Sequence, residues 1–338
     1  MTDYFRPLVQ IGPARPDAAV PLAGGWGWFT HAEVLSRSAS PRVVPATDIP
    51  ASVLARLTAA RTEIASLSLD RPRIMGILNT TPDSFSDGGQ HAAVPDAVRA
   101  GQAMVTAGAD ILDIGGESTR PGADFVPVSE EITRTAPVIA ALRGAGLRTP
   151  ISIDTRKSAV AEAAVRAGAN LVNDVSGFTF DPALGPLCQT LGLPVCVMHA
   201  QGDPATMHLD PRYDNVLLDV YDALERQIAV LEASGIPRSA ILADPGIGFG
   251  KTQEHNLALL ARLSLFHALG TPILLGVSRK RFIGTIGNAP QAQDRAPGSI
   301  AVALAGLGQG VQMIRVHDVK DTRQAVALWH AAYFGSIL

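Results

Sequence analysis

The chain has 338 residues, a formal net charge of −3, and is 47% hydrophobic but only 5% aromatic. That much apolar material builds a large core, and so even a charge balance leaves no basic footprint for nucleic acid. Cys188 and Cys196 make neither a disulfide framework nor a common metal motif, no apolar run reaches about 20 residues, and Met1 to Gln10 carry Asp3 and Arg6, so a reduced, cytoplasmic protein without a membrane span is expected.

Residues 1–70 are rich in Pro and Gly and hold Trp26 and Trp28. Thr30-His31-Ala32-Glu33 matches a capping box and predicts the start of a short helix. Asp48 is the expected cap of a second helix, with Pro50 in its first turn and Val53, Leu54, Leu57 and Ile64 as its apolar stripe. The region reads as a helical or irregular appendage on a main domain at 71–338.

From Arg73 the pattern is regular. Strands are expected at Arg73–Asn79, Ala109–Gly115, Pro150–Thr155, Leu171–Ser176, Pro194–Ala200, Ile241–Pro245, Pro272–Ser278 and Met313–Asp318. Helices are expected at Val94–Thr106, Ser129–Leu142, Ser158–Ala167, Pro182–Leu191, Asp214–Ala233, Glu254–Ala268, Pro297–Leu307 and Val319–His330. A doubly wound open sheet has the same alternation, but eight units over about 260 residues favour a (β/α)8 TIM barrel. In a closed barrel the last strand pairs with the first. Arg315, His317 and Asn79 then meet at one mouth. Two cationic or donor groups beside an amide oxygen suit an anion that carries a metal, such as a pyrophosphate.

Polar residues collect after each strand, on the face where such barrels carry their sites. Asp154, Asn173 and Asp244 end the third, fourth and sixth strands. Carboxylates accept paired N–H groups, and an Asn offers one donor edge and one acceptor. The set suits a guanidine-like edge, as in a pterin or guanine, with Lys280 placed to donate to the ring oxygen. A divalent-metal cage is the rival reading, weakened by carboxylates on separated strands and the lack of a His pair. Asp174, Ser176 and Asp318 are equally open to helix-capping roles. Asp244 to Thr252 misses the phosphate-loop pattern, because Pro245 stands where Gly is needed, so its glycines are read as serving a tight turn. The loops after the first two strands exceed the usual length of about 2–6 residues and carry Phe85, Asp87, Thr119 and Arg120; they read as lids.

ILNTTPDSFSDGG (77–89), GGESTRPGA (115–123), LVNDVSG (171–177), DPGIGFGK (244–251), SRK (278–280) and IRVHDV (314–319) together resemble the dihydropteroate synthases, over roughly residues 72–330. The resemblance implies a (β/α)8 barrel that joins dihydropterin-CH2-pyrophosphate to p-aminobenzoate in folate synthesis. It implies Mg2+ at Asn79 and pterin binding by Asp154, Asn173, Asp244 and Lys280. It implies pyrophosphate binding by Arg315, His317 and Thr119. Phe85, Asp87, Thr119, Arg120 and Pro121 fall in its two mobile loops, which shape the p-aminobenzoate site, and a homodimer is expected. Arg281 departs from the family, which often has Ser there, and residues 1–70 have no counterpart in its minimal pattern. A pterin-dependent methyltransferase and a non-catalytic pterin-binding relative are the alternative functions.

Overall fold

The computed structural model describes residues 3–81, 90–118, 125–202, 207 and 209–337, with the backbone alone for 90–93. Its first elements are short strands: β1 (Tyr4–Pro7), β2 (Gln10–Ile11), β3 (Val20–Pro21), β4 (Gly27–Phe29), β5 (His31–Leu35) and β6 (Arg42–Pro45). They form two antiparallel sheets, ordered β1-β5-β6 and β2-β4-β3. The helix expected from Thr30 is therefore a strand. Ala32 and Val34 alternate into a small core with Phe5, Phe29 and Val44, and that period of two overrides the capping-box pattern. Helix α1 (Ala51–Thr58) starts after Pro50, and no side chain caps it. Asp48 instead ends a short 3-10 turn, and Ile64 lies beyond the helix end.

These amino-terminal elements are tied to residues of the later chain. Tyr4 Oη donates to Asp222 at 2.9 Å. Arg37 reaches Asp219 and Asp222, each at 2.7 Å. Trp26 Nε1 donates to the Leu307 carbonyl at 2.9 Å.

From Arg73 the chain alternates β7 (Arg73–Asn79), α2 (Gln90–Thr106), β8 (Ile111–Gly115), α3 (Val128–Gly144), β9 (Ile151–Asp154), α4 (Ser158–Ala167), β10 (Leu171–Asp174) and α5 (Leu184–Thr190). It continues with β11 (Val195–Met198), α6 (Val216–Ala233), β12 (Ile241–Asp244), α7 (Gln253–Ala261), β13 (Leu274–Leu275), α8 (Arg281–Ile286), α9 (Ala296–Gly308), β14 (Met313–Val316) and α10 (Val319–Phe334). The eight parallel strands run β12-β11-β10-β9-β8-β7-β14-β13. An Ala243–Ile273 bridge joins the two ends of that order, with Ala243 N donating to Pro272 O at 2.9 Å. The sheet is thus the expected (β/α)8 barrel. The seventh strand is shorter than expected, the expected helix 254–268 breaks into α7 and a 3-10 stretch at Leu263–Leu269, and α8 is an additional short helix. Among the described residues no helix is long and apolar enough to cross a membrane.

Alternation along each strand sets the two faces. Ile74, Leu78, Leu112, Ile114, Ile151 and Ile153 pack in the large outer core with the helices. Met75, Ile111, Leu171, Cys196, Leu242, Leu274 and Met313 form a separate inner cluster. Ile64 and Leu69 belong to that inner cluster and seal the amino-terminal end of the barrel. They reach it from a tight turn in which Ile64 and Leu67 exchange backbone hydrogen bonds of 3.0 and 2.9 Å. Two residues beyond these apolar inward positions the same face turns polar. Ile111 is followed by Asp113, Leu171 by Asn173, Leu242 by Asp244 and Met313 by Arg315. The upper lumen is polar because the sequence switches character at the same height on several strands.

Candidate active site

At the centre of the lumen stands Arg315, on β14. Its Nε donates to Asp113 Oδ2 at 2.6 Å and its Nη2 to Asp154 Oδ2 at 2.7 Å. Asp113 also accepts from Asn173 Nδ2 at 3.1 Å. Four strands thereby place one linked group: β8 gives Asp113, β9 Asp154, β10 Asn173 and β14 Arg315. Burial disfavours the Arg315 charge, but the Asp113 and Asp154 carboxylates outweigh it and raise its pKa. Burial pushes the Asp154 carboxyl up, to about 7, against the pull of Arg315. Nη1 of Arg315 has no partner among the described residues, which leaves one donor edge for a ligand.

Asp244 ends β12. Its carboxyl accepts from Gly246 N at 2.7 Å, and burial raises its pKa. Lys280 follows β13 and holds its Nζ 4.1 Å from the centre of the Phe249 ring. Burial lowers its pKa to about 8, opposed by Asp244. The glycines of the loop after β12 have a steric reason. Gly246, Gly248 and Gly250 all take positive φ, and a Cβ at Gly246 would sit 1.9 Å from His199 O. Lys251 closes this loop from inside. Its Nζ donates to Gly246 O at 2.8 Å and Phe249 O at 2.9 Å and lies 2.9 Å from His199 Nδ1. The turn reading of this stretch is what the structure bears out.

His317 lies two residues beyond Arg315, and its backbone N donates to Ser278 Oγ at 3.1 Å, with Nδ1 2.9 Å from the same oxygen. Arg279 takes φ 58° and grips Asp318 through two nitrogens. Asp318 is therefore an ion-pair partner, not a side-chain cap for α10. Asp174 organises its own loop by accepting from Ser176 N and Phe178 N, each at 2.7 Å. Asn79 ends β7 opposite Gly115, whereas Arg315 pairs with Met75. Asn79 and Arg315 face the same mouth but sit at different heights in the ladder, because the strands are staggered around the barrel.

Phe85, Asp87, Thr119, Arg120 and Pro121 lie outside the described residues. Around the second loop, the described ends are tied together. Val126 N donates to Glu117 Oε1 at 3.0 Å, and Lys157 Nζ reaches Val126 O and Glu131 Oε2, each at 2.6 Å. Arg281, exposed at the start of α8, stands apart from the linked group. Sequence reasoning missed Asp113, Ser278 and Lys251. Asp113 carried a usable signal, since an Asp in the middle of an apolar strand demands a partner.

A cavity of about 710 Å³ also lies beside His199, lined by Gln201, Tyr213, Asp219, Arg226 and His255. Of its lining, His199 and Tyr213 touch the loop after β12, but none of the linked carboxylates belongs to it. The lumen is the better site because donors, acceptors and buried charge converge there.

A model of pterin binding enzymes matches residues 75–317. The dihydropteroate synthase of Escherichia coli (strain K12) is 47% identical over 266 residues, which cover 79% of this chain and 93% of that one. The structure of Xanthomonas albilineans dihydropteroate synthase with 4-aminobenzoic acid superposes with a TM-score of 0.76 at 45% identity, covering 80% of this chain and 97% of that one. The same enzyme in complex with 7,8-dihydropteroate gives a TM-score of 0.72 at 43% identity, covering 79% and 95%. By the motifs, the barrel and these likenesses, the chain belongs to the dihydropteroate synthase family of pterin-binding enzymes.

Proposed function

We propose that the chain condenses (7,8-dihydropterin-6-yl)methyl diphosphate with 4-aminobenzoate to give 7,8-dihydropteroate and diphosphate, a step of folate biosynthesis. The observation that carries the reading is the linked lumen group of Asp113, Asp154, Asn173 and Arg315, with Asp244 and Lys280 beside it. Asp154, Asn173 and Asp244 serve the aminopyrimidine edge, and Lys280 the ring oxygen. The spare edge of Arg315, with His317, serves the diphosphate. In the reaction the methylene C–O bond breaks and its electron pair leaves on the diphosphate. The lone pair of the aromatic amine then forms the C–N bond, and the amine loses a proton to the departing anion or to water. Arg315 and His317 favour departure by opposing the charge that grows on the leaving oxygens. The amine is already a neutral nucleophile, so no strong base is required.

Mg2+ is part of this reading. Asn79 offers one hard amide oxygen, and no cluster of three or more His, Cys, Asp or Glu that could hold a metal occurs among the described residues. That donor set fits an ion carried mainly by substrate oxygens and water, which is how Mg2+ is commonly held. When bound it would supply charge neutralisation at the diphosphate. Phe85, Asp87, Thr119, Arg120 and Pro121 are read as the aminobenzoate side, with Thr119 also serving the diphosphate.

Residues 1–70 are read as an appendage and 71–338 as the catalytic barrel, with a cytoplasmic location suited to two free, buried cysteines. A homodimer completes the reading. The 13 residues of α9 include no charge, and Leu328 beside them on α10 is 65% exposed. The activity is tested by supplying both substrates with Mg2+ and measuring dihydropteroate and diphosphate. Equal yields of the two are expected, with none when either substrate is omitted. No product, or methyl transfer from a methylated folate, would overturn it.

A further inference from the structure

We infer that Asp113 is a positioning residue that fixes the Asn173 amide with its oxygen turned to the pterin, an inference that rests on the pterin reading above. Asp113 lies in mid-strand on β8 and is fully buried. Its Oδ2 accepts from both Arg315 Nε and Asn173 Nδ2. A carboxylate has no proton to give, so the amide must turn its NH2 toward it. The amide oxygen then lies on the opposite side of the same planar group. Among the described residues that oxygen accepts no hydrogen bond. Asn173 is the ladder partner of Asp154, so the pocket presents acceptors on adjacent strands. Adjacent acceptors suit the N–H groups of an aminopyrimidine edge.

The other Asp113 oxygen supports the assignment. Oδ1 is buried and has no hydrogen-bond partner among the described residues. Such an unpaired acceptor is a penalty that an apolar side chain would avoid. Arg315 already has a counter-charge in Asp154. A second buried carboxylate is explained by the need to hold Asn173 in one of its two amide orientations, which differ in what they offer a ligand.

The test removes the shared acceptor and then the need for it. In Asp113→Leu the oxygen that takes both donors is gone, so nothing holds the Asn173 NH2 and the amide is free to turn it to the pocket. In Asn173→Asp, two carboxylates oppose each other. In the double variant Asp113→Leu/Asn173→Asp that opposition is gone, and a carboxylate at 173 offers the ligand an acceptor in either orientation. Pterin affinity by calorimetry is expected to fall about tenfold or more in each single variant, as for a mispaired buried hydrogen bond, and to return to within about threefold of wild type in the double. The KM for 4-aminobenzoate is expected to stay within about twofold in the double. A double variant no better than Asp113→Leu overturns the inference, because a purely structural Asp113 is not rescued by a change at 173. Should Asp113→Leu fail to fold, the structure of the wild-type protein with bound pterin decides. A ring or amino N–H facing Asn173 Oδ1 supports the orientation, and an Asn173 amide that turns only its NH2 to the ring overturns it. A wild-type protein that binds no pterin fails the functional reading itself, whereas one that binds pterin without rescue in the double fails Asp113 alone.

Discussion

Arg315→Met keeps most of the side-chain volume and removes the charge that two carboxylates share. Asp113 is fully buried and the Asp154 side chain is 12% exposed. The variant therefore loses two charge-assisted hydrogen bonds and leaves uncompensated buried charge, an effect of about 3–5 kcal/mol in folding stability. The magnitude also has a pH signature. The Asp154 carboxyl, at about 7, already lies above its unfolded value of about 3.9. A raised carboxyl contributes stability that is fully present below about pH 4 and is lost as pH rises through about 7. Removing Arg315 removes the pull that lowers this value, so the carboxyl rises further. Protonation then relieves the buried charge in acid, and the stability lost by the variant is smaller near pH 5 than near pH 8. Urea unfolding of both proteins across this range measures it. A variant within about 0.5 kcal/mol of wild type near pH 8 would refute the account of Arg315 as the keystone of the lumen. The variant is also expected to lose affinity for free pterin, not only for the diphosphate, since Asp154 and Asn173 are linked to the same guanidinium.

Asp244→Asn leaves one ring N–H poorly paired and is expected to weaken pterin binding by about 1–3 kcal/mol in calorimetry; unchanged affinity would remove Asp244 from the pterin set. Asp87→Ala and Thr119→Ala are expected to lower turnover far more than affinity for the pterin diphosphate alone, read from kinetics with 4-aminobenzoate varied at saturating pterin. Wild-type values for both would end the lid reading. Leu328→Arg places a charge beside the uncharged helix α9 and is expected to shift the protein from dimer to monomer in sedimentation; a wild-type protein already monomeric at high concentration would end the dimer reading.

The barrel was legible because its signals are local and repeated. Leu171, Asn173 and Asp174 show the switch on one strand: an apolar start, then polar residues where the strand leaves the core. Strand positions came out well wherever flanking glycines closed the helix before, as Gly168 does after α4 with φ 117°. The small sheets were not legible, because strands of two to five residues carry little periodicity and Thr30 to Glu33 also fits a helix start. Ile64 was misplaced for a related reason. Its apolar spacing fits α1, but its cluster holds barrel residues far along the chain, Leu242 and Met313 among them. Most of the polar lumen was readable from strand ends. Asp113 was not, since it sits within an apolar strand, and its role appears only once Arg315, about 200 residues later in the sequence, is brought against it. The seventh strand is only two residues long, and past it Arg279 adopts φ 58° where the chain turns toward α8.

The claim at the centre of this account is that the polar lumen, and not the cavity beside Tyr213, receives the pterin diphosphate. A crystal structure of the protein with the pterin diphosphate and Mg2+ tests it most directly. The aminopyrimidine edge is expected within hydrogen-bond distance of Asp154, Asn173 and Asp244, with the diphosphate on Arg315 and His317 and the metal on Asn79. A ligand seated among Tyr213, Arg226 and His255, with the Arg315 pairs untouched, would contradict it.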